Sequence, residues 1–156
     1  MSFDLKVSRA ALGMAEFKKA VSSPLDSPVK IGYAFTCLMR GEESGFACAM
    51  MLDKKRRYIG TVCLKRHGEM SEEPLLSRIA DALEANNASY FAVAHNHKPG
   101  ILLPSQADFM TTELIRRRFL CESTVFLDHY IVAGDAWSTI LSRKKCKKYR
   151  KLKDLL

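Results

Sequence analysis

Apolar positions along this chain switch between a helical and a strand-like period, and the switches mark its elements. The first clear helix signal is Ser27-Pro28, which closes the breaker-rich stretch SSPLDSP. Ser suits the N-cap, and Pro suits the first helical position, where no amide hydrogen is needed. A helix is predicted from Pro28 to about Met39, stopped by Gly41. Ahead of it, residues 1–26 read as a short leader with weak helical character between Ala10 and Val21. Gly45 to Leu52 is apolar throughout, as expected of a strand buried on both faces. Asp53-Lys54-Lys55-Arg56 makes a turn, and Arg57 to Leu64 alternates loosely as the second strand of a hairpin.

Glu72-Glu73-Pro74 opens a second helix, with acids at its positive end. Leu75, Ile79, Ala82 and Leu83 form its apolar stripe, and Asn86-Asn87 ends it. Ser89 to His95 is a further strand, followed by a loop from Asn96 to Pro104. Ser105 caps a helix that runs to about Phe119. The last strands are Thr124 to Val132 and Ala136 to Ile140, divided by Ala133-Gly134-Asp135. Strands interleaved with helices predict an α/β (α+β mixed) fold whose sheet is covered on both faces.

Composition narrows the class. A chain of 156 residues, 47% apolar and 27% charged, suits one soluble domain. No apolar run approaches the roughly 18 residues that a membrane span needs. The opening stretch MSFDLKVSRAALGMAEF carries charges where a signal peptide needs an unbroken apolar core, so a cytoplasmic address is expected. The cysteines are Cys37, Cys48, Cys63, Cys121 and Cys146, with no CxxC pair and an odd total, so neither a disulfide framework nor a cysteine zinc knuckle is expected. Cys48 and Cys63 lie in apolar runs and read as small core residues.

The net charge of +8 is concentrated at the end of the chain, where eight basic residues lie between Arg143 and Lys153. Two readings stand for residues 143–156: a solvated terminus, or a block whose residues 143–153 make non-specific contacts with a nucleic-acid backbone. Without this tail the charge is near neutral, so the rest of the chain makes no general case for nucleic acid.

The richest chemistry lies in AHNHKPGILLPSQAD. His95 and His97 are spaced i, i+2, which at a strand end points both rings to one side. Ser105 and Asp108 carry two readings. Ser-x-x-Asp after a proline is a capping box, with Asp108 favoured by the helix dipole. The same helix start would aim Asp108 back at the strand end, a span that an extended connection of about eleven residues closes easily. Three N/O ligands with a fourth position left for water describe a catalytic zinc site rather than a structural one.

HxH, seven residues, Ser, two residues and Asp resembles the JAMM motif of the JAB/MPN metalloprotease superfamily. Within that superfamily the chain is similar to the RadC branch. The typical run HNHPSG, then PS-x-x-D, stands here as His95-Asn96-His97-Lys98-Pro99-Gly100 and Pro104-Ser105-Gln106-Ala107-Asp108. Thr112 matches the Thr four residues after the Asp, and Leu127-Asp128-His129-Tyr130-Ile131-Val132 matches the later LDH-x-I-V. The resemblance covers roughly residues 27 to 141, which with the leader and tail divides the chain into 1–26, 27–142 and 143–156. It implies an MPN/JAMM-like three-layer fold, with a central, mostly antiparallel mixed sheet flanked by helices.

The resemblance also implies roles. His95, His97 and Asp108 would ligate zinc, and Ser105 would hold the bound water or the tetrahedral intermediate by hydrogen bonding. Zinc lowers the pKa of its water to about 7 and polarises the scissile carbonyl, so a peptidase or isopeptidase acting on a protein or peptide substrate is expected. A Glu near the first strand would be the general base.

RadC sequences usually place that Glu eight residues before the Asp closing the first strand, but here Gly45 stands at that distance from Asp53. Glu43 is two residues further back, which preserves strand parity, and it is the expected base; a bulge or loop at Ser44-Gly45 would bring in Glu42 instead. Lys98-Pro99 replaces the usual Pro-Ser and alters the loop over the metal. With only 26 residues ahead of the matching region, the helix-hairpin-helix module that RadC proteins generally carry there is not expected. The alternative reading is a non-catalytic or vestigial MPN-like binding module, associated with DNA through the basic tail.

His129, beside Asp128, reads either as a partner of the metal ligands or as a packed strand residue, and His67 reads as a loop residue. Other metal chemistries fail on their motifs: the chain has no HExxH and no PCxxC, and His95-Asn96-His97 is a tripeptide rather than the nuclease motif of that name.

Overall fold

The computed structural model describes residues 13–65, 72–143 and 145–146. Helix α1 spans residues 13–20. Then follow α2 (Pro28–Met39), β1 (Ala47–Leu52), β2 (Tyr58–Lys65), α3 (Glu72–Ala85), β3 (Tyr90–His97), α4 (Gln106–Arg118), β4 (Val125–Ala133), β5 (Ala136–Thr139) and β6 (Lys145–Cys146). The caps act as the residue types require. Ser27 Oγ accepts the Lys30 amide at 3.3 Å, and beyond the end of α2 Gly41 takes a φ of +82°. At the hairpin turn, Asp53 Oδ1 accepts the amides of Lys55 (2.8 Å) and Arg57 (2.9 Å).

The six strands form one sheet in the order β2-β1-β3-β4-β5-β6. Only β3 and β4 pair in parallel; the other neighbours are antiparallel. Every residue of β1 is buried, and its alternate side chains enter opposite cores. Cys48, Met50 and Leu52 join Ala92 and Ala94 of β3 under α2, while Ala47, Ala49 and Met51 join Phe91 and Val93 under α3 and α4. Helices on both faces make the three layers that the resemblance implies. Phe17 of α1 and Leu25 belong to the core on the α2 side, so this part of the leader packs on the sheet.

Two expectations are corrected. The strand read as ending at His95 continues to His97, because Asn96 and His97 still pair with Val132 and Ala133 of β4. Cys63 is exposed rather than part of the core, since β2 is the outermost strand at its end of the sheet; Cys48 is buried. Lys145 and Cys146, within the basic tail, pair with Ser138 and Trp137 of β5. His67, the first residues of the leader helix (Ala10 to Leu12) and residues 147–156 of the tail lie outside the described residues. Among the described residues, no helix is long and apolar enough to cross a membrane.

Candidate metal centre

β3 carries the histidines. Phe91 and Val93 face the α3/α4 core, so the period of two sends His95 and His97 to the same side and Asn96 to the other. α4 carries the acid. Ser105 caps this helix: its Oγ accepts the Asp108 amide at 3.1 Å, and Asp108 Oδ2 accepts the Ser105 amide at 2.7 Å. The capping box is formed, and it leaves the carboxylate facing the histidines, as the ligand reading expects. His95 Nε2 lies 3.0 Å from Asp108 Oδ1, and His97 Nε2 lies 3.2 Å from Asp108 Oδ2. The two Nε2 atoms are 2.7 Å apart. Ligand atoms of the three residues all lie within 4.8 Å of one another, in a half-buried position.

The donor set fits a metal ion. His97 Nδ1 is 3.0 Å from the Ile101 carbonyl oxygen, which can only accept, so the ring carries its proton there and leaves Nε2 bare. That lone pair lies beside His95 Nε2 and Asp108 Oδ2, and His95 Nε2 faces Asp108 Oδ1, a convergence of electron pairs that a bound cation would stabilise. Burial alone would raise the Asp108 carboxyl, but His95 in its protonated form, by hydrogen bond and charge, and the bonds from Ser105 outweigh it. These bonds hold the carboxyl well below the usual carboxylate range.

Residues outside the motif complete the surroundings. His129, paired with Val93 across β3 and β4, is buried with its Nε2 2.8 Å from His95 Nδ1. Burial first, and His95 beside it, push His129 down to about 3. Its neighbour Asp128 accepts four bonds, from the amides of His129, Leu141 and Ser142 and from the Ser142 hydroxyl, tying β4 to the segment after β5.

On the opposite face of β3, the Asn96 amide group donates to the carbonyl oxygens of Glu43 (2.8 Å) and Glu42 (3.5 Å) and accepts the Phe46 amide (2.9 Å). Sequence reasoning did not single out Asn96. The only signal was its place between two histidines on an alternating strand.

The acid-bearing segment is a loop. β1 begins at Ala47, opposite His95, and Phe46 still exchanges bonds with Asn96. The chain then turns at Ser44-Gly45, where Gly45 takes a φ of +95°. Strand parity therefore does not extend to Glu43. Glu42, Glu43 and Ser44 instead line a cleft of about 720 Å³ with His97, Lys98 and Pro99. His97 belongs to both the cleft and the metal-binding group.

Comparison with known proteins identifies the family. The RadC-like JAB domain family matches residues 25–146. The chain belongs to that family. A UPF0758 protein of Alcanivorax borkumensis is 33% identical over 123 residues, covering 77% of this chain and 54% of the relative. Another, from Cupriavidus pinatubonensis, is 34% identical over 114 residues, covering 72% of this chain and 49% of the relative. A third, from Thiobacillus denitrificans, is 31% identical over 111 residues, covering 70% and 49%. This RadC-like JAB chain thus spans about half the length of the curated relatives it matches.

Proposed function

We propose that this RadC-like JAB domain is a zinc-dependent hydrolase of amide bonds, acting on a peptide or isopeptide link in a protein or peptide substrate. The observation that carries the reading is the convergence of His95 Nε2, His97 Nε2 and the Asp108 carboxylate at the sheet end, beside an open cleft. Zinc held there would supply Lewis acidity to a carbonyl and a more acidic water. The protein residues do the rest. Asp108 is held by its helix cap, with its carboxylate facing the two histidines. The Ser105 cap bond uses the hydroxyl oxygen as acceptor and leaves the hydroxyl proton to steady a developing oxyanion. Glu43, on the loop lining the cleft beside His97, takes a proton from the attacking water and returns it to the leaving nitrogen.

Metal analysis of the purified full chain tests the site. The expected result is one zinc per chain, lost in His95→Ala combined with His97→Ala. Zinc-free wild type after purification without chelators would sink the reading. A second reading, a non-catalytic MPN-like binding module, is favoured by the turn at Ser44-Gly45 that takes Glu43 off the strand. Glu43→Gln separates the two on a panel of peptide and isopeptide substrates. The hydrolase keeps its zinc and loses turnover by at least about 100-fold, as expected for a positioned general base. A binding module shows no turnover to lose.

A further inference from the structure

Behind the candidate ligands a chain of hydrogen bonds runs from His95 back to the main chain of Asp108. His95 faces Asp108 through Nε2, and its Nδ1 lies 2.8 Å from His129 Nε2. His129 Nδ1 lies 2.7 Å from Thr112 Oγ1, and Thr112 Oγ1 lies 2.8 Å from the main-chain carbonyl oxygen of Asp108. With both rings neutral, one arrangement of protons satisfies every link from His95 Nδ1 to the Asp108 carbonyl. A carbonyl oxygen can only accept, so the Thr112 hydroxyl spends its single proton on Asp108. Its oxygen must then accept from His129, which places the His129 proton on Nδ1. His129 Nε2 is bare and accepts from His95 Nδ1–H. His95 Nε2 is left without a proton, in the form that a metal ion requires.

We propose that His129 and Thr112 are positioning residues that hold His95 in its ligand tautomer, with the Asp108 carbonyl setting the direction of the whole chain. The proposal rests on the metal-binding reading above. Asp108 then serves the centre twice. Its carboxylate faces His95 Nε2 directly, and its carbonyl, through two intermediaries, keeps that nitrogen bare. Sequence distance hides the arrangement, because His129 and His95 are 34 positions apart. His97 is handled separately, through the Ile101 carbonyl, so the two ligands are oriented by independent devices.

The test uses the metal-free full chain. Long-range ¹H–¹⁵N NMR of the imidazole rings reports which nitrogen carries the proton, and His95 Nδ1–H together with His129 Nδ1–H is expected in wild type. Thr112→Val preserves shape but leaves His129 Nδ1–H without its acceptor. The His129 proton should then move to Nε2, which drives the His95 proton to Nε2 as well. Thr112→Ser should restore the wild-type pattern.

Zinc affinity, read by chelator competition, should fall about 10–100-fold in Thr112→Val and in His129→Leu. It should recover largely in Thr112→Ser and in His129→Gln, whose amide can accept from His95 and donate to Thr112. The two disruptive variants break the chain at different links, so one that fails to fold is replaced by the other. A wild-type His95 proton on Nε2, or unchanged zinc affinity in the folded disruptive variants, overturns the proposal. If wild type takes up no zinc, the metal-binding reading falls, and the NMR result alone decides whether the tautomer lock exists.

Discussion

At the scale of the residue, neighbours on one strand are given separate tasks by the direction of their side chains. On β3, His95 and His97 reach Asp108, while Asn96 between them leaves the other face and holds the loop of Glu42 and Glu43. The histidine pair and its acid were legible from spacing alone, because the period of a strand and the reach of a helix cap are local properties. His129 was ambiguous, because only a neighbouring strand brings it to His95.

The cysteines divide in the same way. Cys63 and Cys121 are exposed, whereas Cys37 and Cys48 are buried. Burial pushes the Cys37 thiol up to about 11 from its ordinary 9.0, so the folded chain holds that proton more tightly than the unfolded chain does. The associated stability is complete below about pH 9 and is lost as pH rises towards about 11. Iodoacetamide at about pH 8 should therefore label Cys63 and Cys121 and spare Cys37 and Cys48, read by peptide mass spectrometry. Labelling of Cys37 in native protein at that pH would show that its contact with Glu16 of α1, Sγ to Oε2 at 3.7 Å, opens readily.

At the scale of the element, caps and apolar stripes located the helices to within a residue or two. Strand ends were less legible. Asn96 and His97 are polar and read as loop, but pairing with β4 keeps them in the sheet. The apolar pattern of β2 suggested burial, yet its position at the sheet edge exposes Cys63. The packing of α2 on the sheet depends on Gly32. A Cβ there would lie 2.3 Å from Trp137 Cε2 and 2.6 Å from its Nε1, with the indole itself buried. Gly32→Ala gains about 1 kcal/mol of helix propensity, but a clash with a rigid buried ring costs more, so a net loss of about 1–3 kcal/mol is expected in urea denaturation. Unchanged or increased stability would mean that α2 can shift away from β5 without penalty.

At the scale of the molecule, the order β2-β1-β3-β4-β5-β6 puts both candidate ligand histidines on an interior strand between β1 and β4. The centre is therefore braced from two sides, by Asn96 with the β1 loop and by His129 on β4. In the sequence, the excess charge lies in the stretch that begins at Arg143. Because Lys145 and Cys146 complete the sheet edge beside β5, removing residues 147–156 separates charge from fold better than a longer deletion would. If the tail binds nucleic acid, this deletion should weaken affinity for duplex DNA and flatten its salt dependence, the slope falling by about 0.9 for each phosphate that the tail had neutralised. Equal affinity and equal slope before and after deletion would exclude the tail as a nucleic-acid contact.

Sequence by itself determined the helix starts, the paired histidines, their acid and the family to which they point, because each follows from spacing within a short stretch of chain. Only the tertiary structure decided which strand lies at an edge, that the acid-bearing segment is a loop rather than a strand, and that His129 and Asn96 attend the centre. Those outcomes depend on contacts between residues 34 to 54 positions apart. Such contacts form when the strands are assembled in their sheet order, and no local period records that order.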